Sequence, residues 1–435
     1  MNTSVIGLGR LGLPFGFFLA SKGHKVFAYD KDLSISDKIK KKSFIEPNLS
    51  NYIKKYKKNF ILKKNINELI NNSGITFIVL PTPSKKDGSF SNSFILKSLS
   101  QISSSLKFKR KKKHIIVITS TVSPGGCKEF IKYMQTKGLI NNKDFSFVYN
   151  PHFIAQGTTI RNLEKPDLIL IGTDNIKTKK KINTFYNKIY KKKELLKNTN
   201  FKEGEISKIA INCYITTKIS FSNYISEISE SAQDIDAKTI LDVIGQDKRI
   251  NHSYMKVGTK FSGPCFPRDN LALINYSKKA KVTPFLPLAT NIVNSKQSLR
   301  IIRILKKIIK KDKKKLSLGL LGLTYKTDTN LIEGSQGDSL IKEITKKNLK
   351  FTKINIFDNF LDYKEVLNYN KKLFFFNNKN SFLNHSDIII IMYPSAENNM
   401  LNDYRSKKVK YIIDCWRLKL KLNENLKLIQ FGKFF

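Results

Sequence analysis

The feature that most constrains the fold of this chain is a glycine-rich turn close to its start. An apolar run at 3–7 enters the segment Gly7-Leu8-Gly9-Arg10-Leu11-Gly12, and an apolar helical pattern continues to Lys22. A second apolar run, at 25–29, ends at Asp30. Dinucleotide-binding folds place an acid about 20 residues after such glycines. The order of strand, turn, helix, strand and acid therefore predicts a Rossmann βαβ unit.

This unit predicts a site for NAD. Glycines allow a tight turn and the close approach of a pyrophosphate to a helix N-terminus, where backbone N–H groups and the helix dipole favour anions. We expect Asp30 to accept hydrogen bonds from the adenosine ribose hydroxyls, which favours NAD over NADP. The neighbouring Lys31 weakens that preference slightly.

Further β-branched runs predict additional strands of the same sheet. They lie at 75–80, 114–119, 145–149 and 168–172 and show little alternation, as expected when both faces of a parallel sheet are covered. Ligands bind off the carboxyl ends of such strands. The loops that begin there are therefore site candidates, although each alone is compatible with an ordinary turn. They are Pro81-Thr82-Pro83, the loop from Ser120 and Thr121 to Gly125, and Asn150-Pro151-His152-Phe153.

The pattern changes after residue 203. Apolar and aromatic residues recur at helical spacing over 203–233, which predicts one long helix, too apolar to stand alone in water. We expect it to pack against a partner subunit. Lys208 and Asn212 stand four apart and share a face. They are either an ordinary surface pair or two donors aimed at an oxygen. Further helices are predicted at 270–281 and over a long segment ending near Lys311.

A second αβ block follows a basic run. Strands are predicted at 316–323, 353–357, 373–376, 387–392 and 411–414. The block contains no GxGxxG, so a second dinucleotide site of the same kind is not expected. The predicted class is α/β, with an N-terminal Rossmann domain (1–200), a central helical domain with one long connecting helix (201–311) and a C-terminal Rossmann-like domain (312–435).

The segment Gly263-Pro264-Cys265-Phe266-Pro267-Arg268-Asp269 places a cysteine between two prolines, with an arginine three residues on and a carboxylate four residues on. Glycine and proline impose an unusual backbone path. A thiol near positive charge loses its proton more readily, and the thiolate is the nucleophile. A lone cysteine in a tight turn is also commonly a small buried apolar residue. The neighbouring motifs favour the nucleophile.

Composition excludes several classes of protein. The net charge of +45 invites a nucleic-acid interpretation, but the basic runs are scattered and no zinc-finger, RNP or KH signature accompanies them. We therefore interpret them as solvated surface and expect no specific nucleic-acid partner. The four cysteines lie far apart without a CxxC pair, which argues against disulfides and against a metal site. No signal peptide or membrane-spanning run is present, so a cytoplasmic location is expected.

With these motifs in order, the sequence resembles the UDP-glucose/GDP-mannose dehydrogenase family over essentially its whole length. The most specific match is the segment Gly263–Asp269. The resemblance also rests on Val5–Pro14, Leu80–Pro83 with Asp87-Gly88, Ser120–Val122, Asn150-Pro151, Glu205–Asn212 and Gly322–Lys326.

The resemblance implies oxidation of the C6 alcohol of a nucleotide sugar to a carboxylate by two hydride transfers to NAD. Cys265 would attack the intermediate aldehyde, and a second transfer would give a thioester that water hydrolyses. Lys208 and Asn212 would stabilise the oxyanion, while Asp269 and Thr121 would hold a water for proton transfer. Cofactor contacts are implied for the glycine loop with Asp30, Pro81, Thr82 and Thr121. Substrate contacts are implied for Phe153, Lys208, Asn212, Arg249, Gly263, Lys326 and Arg417, with Arg249 acting across a homodimer interface.

Three positions depart from the family pattern. His152 and Gln156 stand where the family has glutamates that assist proton transfer and thioester hydrolysis, and Glu333 aligns with an arginine. A neutral imidazole can act as a base near pH 7, so His152 is a candidate replacement, whereas an amide cannot. The chain is therefore expected to be a divergent member.

The leading hypothesis is an NAD-dependent nucleotide-sugar 6-dehydrogenase acting on UDP-glucose, with UDP-N-acetylhexosamines or GDP-mannose as alternatives. A β-hydroxyacid dehydrogenase shares the Rossmann-plus-helices plan and a catalytic lysine but has no use for Cys265. A third hypothesis is a non-catalytic relative that binds nucleotide sugars or nucleic acid. NADH production and its dependence on Cys265 distinguish the three.

Overall fold

A computed structural model describes residues 2–41, 46–108, 113–154, 157–312, 315–402 and 408–434. The chain forms two compact units. One comprises residues 1–211 and 271–282, and the other comprises 212–270 and 283–435. The chain enters the second unit within one long helix, and a second helix also contributes residues to both units. The two units are defined by how residues pack and not by continuous sequence segments. The boundary predicted between an N-terminal and a central domain therefore stays a prediction.

The first unit is built on an eight-stranded sheet among the described residues, in the order β3-β2-β1-β4-β5-β6-β7-β8. All neighbouring strands are parallel except β6 and β7. Its strands are β1 (Asn2–Ile6), β2 (Lys25–Tyr29), β3 (Phe60–Leu62), β4 (Ile75–Ile78), β5 (His114–Ile118), β6 (Phe145–Tyr149), β7 (Ile169–Gly172) and β8 (Leu196–Thr199).

Helices cover both faces of this sheet, and each face has its own apolar core. Strands such as β4 and β5 are buried at every position, which explains their continuous apolar sequence. The helices are α1 (Gly12–Ser21), α2 (Ile35–Lys41), α3 (Leu49–Tyr56), α4 (Ile66–Asn72), α5 (Ser93–Phe108), α6 (Gly126–Thr136), α7 (Thr159–Glu164) and α8 (Ile176–Tyr190).

Four helices occupy the middle of the sequence. They are α9 (Phe201–Ser229), α10 (Ala237–Gln246), α11 (Phe266–Lys279) and α12 (Phe285–Asp312). The long helix predicted over 203–233 is confirmed as the 29-residue α9. The helix predicted at 270–281 begins earlier, at Phe266, because proline is tolerated in the first turn of a helix and Pro267 does not delay the start.

The second unit contains a six-stranded parallel sheet in the order β11-β10-β9-β12-β13-β14, counted over the described residues. Its strands are β9 (Leu318–Leu321), β10 (Ile354–Phe357), β11 (Leu373–Phe375), β12 (Ile388–Ile391), β13 (Tyr411–Asp414) and β14 (Lys427–Gln430). Its remaining helices are α13 (Gln336–Lys346), α14 (Tyr363–Tyr369) and α15 (Lys379–Asn384). The predicted α/β class with two parallel-dominated sheets is confirmed.

Candidate active site

The turn after β1 has a backbone path that only glycine permits at two of its positions. Gly7 has φ +92°, and a Cβ there would lie 2.4 Å from the carbonyl oxygen of Val79. A Cβ on Gly12 would lie 1.8 Å from the carbonyl oxygen of Gly7. Space is open around Gly9, where a Cβ would meet no atom within 4 Å. The outer glycines therefore build the turn, and the middle one leaves its surface open to a ligand.

The N-terminus of α1 fits the anionic part of a dinucleotide. Its N-cap residue is Leu11, which makes no side-chain capping bond, and no acidic residue lies in the first turn. No side chain therefore neutralises the positive end of the helix dipole, which can attract an anion. The exposed Arg10 adds positive charge at the same turn.

Asp30 ties the end of β2 to this turn. One carboxylate oxygen accepts the N–H of Leu8 at 2.6 Å, and the other accepts the N–H of Asp32 at 2.8 Å. The side chain is half-buried, so its remaining lone pairs can accept hydroxyl groups of a ribose. The glycine turn, α1 and Asp30 are thus the residues that would hold NAD.

The loops after β4 and β5 are joined by threonine and serine side chains. The hydroxyl of Thr82 donates to the carbonyl of Thr121 at 2.7 Å. Ser120 Oγ donates to the carbonyl of Leu80 at 2.6 Å. These bonds join the loops of Pro81 and Thr121 at the carboxyl edge of the sheet, after the neighbouring strands β4 and β5, of which β4 lies next to β1. The two predicted loops therefore lie side by side.

The loop after β6 meets the start of α9. Lys208 is buried, and its Nζ donates to the carbonyl of His152 at 3.0 Å. The same Nζ lies 4.6 Å from the ring centroid of Phe153, within cation–π range. The structure therefore brings three predicted site residues together, with the lysine ammonium held between a carbonyl and an aromatic ring.

The imidazole of His152 is held in its neutral form. The pKa of His152 is lowered to about 3. Burial of the ring is the main cause, and the positive charge of Lys208 is the second. Part of the residue reaches solvent, but Nδ1 is buried and forms no hydrogen bond with any described residue. The ring packs edge-on against Phe15 at 4.6 Å. A weakly basic imidazole in apolar surroundings is a poor proton acceptor at pH 7.

Glu205, one turn before Lys208 on α9, belongs to the segment Glu205–Asn212 that carries the family resemblance, but the sequence predicted no role for it. It is fully buried, and its two carboxylate oxygens accept the N–H groups of Gly125 at 2.6 Å and Cys127 at 2.7 Å. Burial raises the pKa of Glu205, and the hydrogen bonds from Cys127 and Gly125 oppose that rise. Its side chain therefore caps α6, which follows the loop of Thr121.

In the second unit, Cys265 stands immediately before the first residue of α11. Its carbonyl accepts the N–H of Asp269 at 2.9 Å, and its side chain is exposed. The four cysteines, all among the described residues, form no disulfide. Cys265 therefore lies at the positive end of the helix dipole, where negative charge is favoured.

The approach to Cys265 is shaped at Gly263. This residue has φ +82°, and a Cβ there would lie 2.7 Å from the ring of Tyr325. The loop after β9 therefore packs directly on the cysteine loop. Lys326 belongs to that loop, and its Nζ lies 5.7 Å from the ring centroid of Tyr325.

Asn212 and Asp269 form a hydrogen-bonded pair beside the same loop. Asn212 Nδ2 donates to Asp269 Oδ2 at 2.6 Å, and Asp269 is buried. The pKa of the adjacent Cys213 is raised to about 12, mainly by burial of the thiol and secondly by the charge of Asp269. Cys213 is therefore an unreactive thiol, in contrast to the exposed Cys265.

Two arginines predicted to contact substrate form ion pairs within the chain, and two further positions depart from the family pattern. Arg249 is highly exposed and forms an ion pair with Asp247 at 2.6 Å. Arg417 forms a two-pronged pair with Asp236, the N-cap of α10, at 2.7 and 3.0 Å. Their substrate roles stay predictions. Glu333 is exposed, and Gln156 lies outside the described residues.

The second sheet repeats the strand-end geometry of the first without its glycine spacing. Gly322 N–H donates to Phe357 O at 2.9 Å, as Gly7 N–H donates to Tyr29 O at 2.9 Å. Asp358, directly after β10, accepts the N–H groups of Leu323 and Thr324 at 2.8 and 2.9 Å. It is buried, unlike Asp30. The buried Asp338 in the first turn of α13 fills that helix start with a carboxylate, which disfavours an anionic ligand there.

The described residues contain no group of three or more His, Cys, Asp or Glu side chains arranged to hold a metal ion. None of their helices combines the length and the apolar character needed to cross a bilayer.

Comparison with solved structures finds the same fold. A UDP-glucose dehydrogenase from Pyrobaculum islandicum superposes with a TM-score of 0.87 at 23% identity, covering 100% of this chain and 98% of that one. A UDP-D-ManNAc dehydrogenase from Pyrococcus horikoshii gives 0.84 at 18% identity, covering 99% of each chain.

Sequence comparison identifies the family. A UDP-glucose 6-dehydrogenase from Rickettsia bellii is 29% identical over 422 residues, which is 95% of this chain and 94% of that protein. Two family models match consecutive segments. Residues 1–191 match the NAD-binding domain of the UDP-glucose/GDP-mannose dehydrogenase family, and residues 202–296 match its central domain. The first segment contains the residues that would hold NAD, and the second contains Cys265. The chain belongs to the UDP-glucose/GDP-mannose dehydrogenase family, whose members are NAD-dependent oxidoreductases.

Proposed function

We propose that this protein oxidises the C6 alcohol of a nucleotide sugar to a carboxylate, with UDP-glucose as the substrate. The observation that carries the proposal is Cys265, an exposed thiol immediately before α11. The same chain also contains the glycine turn, α1 and Asp30, which would hold NAD. The relative from Rickettsia bellii is named for UDP-glucose. GDP-mannose and UDP-N-acetylhexosamines are the alternatives, since structural neighbours are named for GDP-mannose and UDP-N-acetylmannosamine.

Each of the proposed site residues has a role in this reaction. NAD, when bound, accepts the hydride of each oxidation. After the first oxidation, Cys265 Sγ forms a bond to the aldehyde carbon and the carbonyl oxygen gains a proton, giving a thiohemiacetal. The second oxidation converts this adduct to a thioester. Water then breaks the C–S bond, which releases the carboxylate and returns the thiol.

The oxygen at C6 bears negative charge in these steps. We assign its stabilisation to the ammonium of Lys208 and to the amide of Asn212, which lie one turn apart on α9. Asn212 uses one N–H for Asp269 and carries a second. Asp269 and Thr121 are proposed to hold the water for proton transfer. Because the pKa of His152 is about 3, we assign its ring a packing role against Phe15, and its backbone carbonyl the role of holding Lys208, in place of the base role that the sequence suggested.

The test follows NADH absorbance with purified protein, NAD and a panel of nucleotide sugars. Wild-type protein is expected to produce about two NADH per sugar consumed, and Cys265→Ser is expected to lose acid formation by on the order of 10³-fold or more. Cys415→Ala is the control, because Cys415 is a buried thiol in the core of the second unit.

Each alternative predicts a different result. A β-hydroxyacid dehydrogenase would give one NADH per substrate and be indifferent to Cys265→Ser. A non-catalytic relative would bind a nucleotide sugar without producing NADH. Full acid formation by Cys265→Ser would rule out the covalent mechanism.

We further propose that the protein acts as a homodimer through its central helices. Two neighbouring helices of the second unit, joined by a hydrogen bond between Thr217 and Thr290 at 3.1 Å, both expose apolar stripes. The stripes repeat at spacings of three, four and seven residues, which places each on one helix face. They are Tyr214, Phe221, Tyr224 and Ile228 on α9, and Phe285, Leu288, Ile292 and Leu299 on α12.

A further inference from the structure

Glu205 is a buried carboxylate that the proposed reaction does not use. Leaving a charge in the interior is costly unless hydrogen bonds or a counter-charge compensate it. Here both oxygens accept backbone N–H groups at the start of α6, at 2.6 and 2.7 Å. The N-cap residue of α6 is Gly125, which has no side chain to cap the helix itself. The positive end of the α6 dipole therefore stabilises the carboxylate, and the carboxylate caps the N-terminus of α6.

The contact fixes α9 against the loop that follows β5. The capped turn, Gly125 to Cys127, directly continues the loop of Thr121. The fit is tight, since a Cβ on Gly126 would lie 3.0 Å from Val122. At the preceding position of α9, a Cβ on Gly204 would lie 2.9 Å from the Thr199 hydroxyl at the end of β8. The first turn of α9 therefore packs against both the start of α6 and the end of β8.

The same turn sets the position of Lys208. Residues three apart on a helix are neighbours, so Glu205 and Lys208 lie on adjoining positions of α9. Glu205 contacts the loop after β5, and Lys208 contacts the carbonyl of His152 and the ring of Phe153 in the loop after β6. A shift of α9 along or around its axis would move the ammonium away from both contacts.

We propose that Glu205 is a positioning residue: its cap on α6 sets the place of the Lys208 ammonium relative to Thr121. The proposal rests on the proposed function for its catalytic consequence, but the placement of Lys208 can be tested separately. Misplacing a catalytic group by about 1 Å can reduce the rate by about 10²-fold.

The substitution Glu205→Gln keeps the shape of the side chain but turns an N–H donor toward one of the two backbone N–H groups. We expect kcat to fall by on the order of 10- to 10²-fold, with the Kd for NADH nearly unchanged. Glu205→Asp keeps the charge on a shorter side chain and should retain more activity. Glu203→Gln is the matched control, because Glu203 is exposed on the same turn and only completes the capping box of α9 with Asn200, a role that glutamine can fill.

A second measurement does not depend on turnover. The rate at which an amine-selective acylating reagent labels Lys208, read by peptide mass spectrometry, should rise several-fold in Glu205→Gln and stay at the wild-type value in Glu203→Gln. Thermal melting checks that each variant is folded, and Glu205→Asp serves if Glu205→Gln is not.

The outcomes separate the two proposals. Lower kcat with faster Lys208 labelling supports the positioning role. Unchanged labelling in a folded Glu205 variant overturns it, whatever happens to kcat. Absence of NADH from wild-type protein with every nucleotide sugar tested would overturn the proposed function, while the labelling result would still decide the role of Glu205.

Discussion

His152 illustrates how strongly its surroundings decide what a side chain can do. Burial and the Lys208 ammonium both disfavour the charged imidazolium, so the pKa falls to about 3. The ring is therefore neutral throughout the physiological range. Its backbone carbonyl, rather than its imidazole, makes the polar contact with Lys208.

This environment predicts that His152 does not shape the pH dependence of activity. His152→Gln replaces one neutral side chain by another, so the kcat profile between pH 5 and 8 should keep its inflections, measured as initial NADH production. Disappearance of a limb near neutral pH in the variant would show that His152 titrates there and serves as a base after all.

The same pKa predicts an effect on stability. An unfolded histidine binds a proton below its ordinary pKa of about 6.5, whereas folded His152 does not until about pH 3. The unfolded state therefore gains a proton as pH falls through this window, and the folded state loses stability. Urea unfolding at pH 7 and pH 4.5 should show a smaller loss for His152→Gln than for wild type. Equal losses would contradict the lowered pKa.

At the scale of elements, a buried arginine joins three segments of the second unit. Arg300 on α12 donates through Nε to both oxygens of Glu230, just after α9, at 3.0 Å each, and through Nη2 to Ser226 at 2.8 Å. Its guanidinium lies 3.9 Å from the ring centroid of Phe431. The N–H of Gly432 also donates to Glu230 at 3.0 Å.

Arg300→Ala should therefore lower the free energy of unfolding by about 3–5 kcal/mol, because it removes the cationic partner of the Glu230 carboxylate and leaves only the N–H of Gly432. Arg303→Ala is the matched control on the next position of the same face. Arg303 is mostly exposed and lies 3.8 Å from Glu227, so its loss should cost less than about 1 kcal/mol. Urea unfolding measures both, and similar values for the two variants would refute the assignment.

The elements that could be predicted from sequence are those with a clear apolar pattern in their own residues. Apolar β-branched runs located strands such as β2, β6 and β13, and helical spacing located α9. The short strands β3, β8 and β14 were missed. β3 has only three residues, and β8 and β14 have exposed or polar positions that carry no such pattern. The start of α11 was misplaced because prolines in a first turn resemble a loop.

The site was predictable where spacing along the chain encodes it. The glycine turn with Asp30, and Lys208 with Asn212, follow from local periodicity. Glu205 and Asp358 do not, since their partners lie 78–80 and 34–35 residues away along the chain. The pKa of His152 also depends on a lysine 56 residues distant, so sequence suggested a base that the folded environment disfavours.

At the scale of the whole molecule, the apolar stripes on α9 and α12 predict the assembly state. Wild-type protein should sediment with twice the 50.0 kDa mass of the chain in analytical ultracentrifugation. Tyr224→Lys combined with Ile292→Lys places charge within both stripes and should shift the mass to that of one chain. Leu33→Lys, at a comparably exposed apolar residue outside the stripes, should leave it unchanged. A wild-type protein of 50.0 kDa would exclude the dimer.

Helix α9 carries a consequence for how this chain can diverge. Each residue of an α-helix adds 1.5 Å of rise and, at 3.6 residues per turn, about 100° of rotation. A substitution between Lys208 and Asn212 leaves their phase intact, but a single insertion or deletion turns one away from the face of the other. We therefore expect selection to constrain the length of the segment 208–212 more strictly than the identity of the residues between Lys208 and Asn212. Homologues should accumulate replacements in this helix while their insertions collect in the loops outside it.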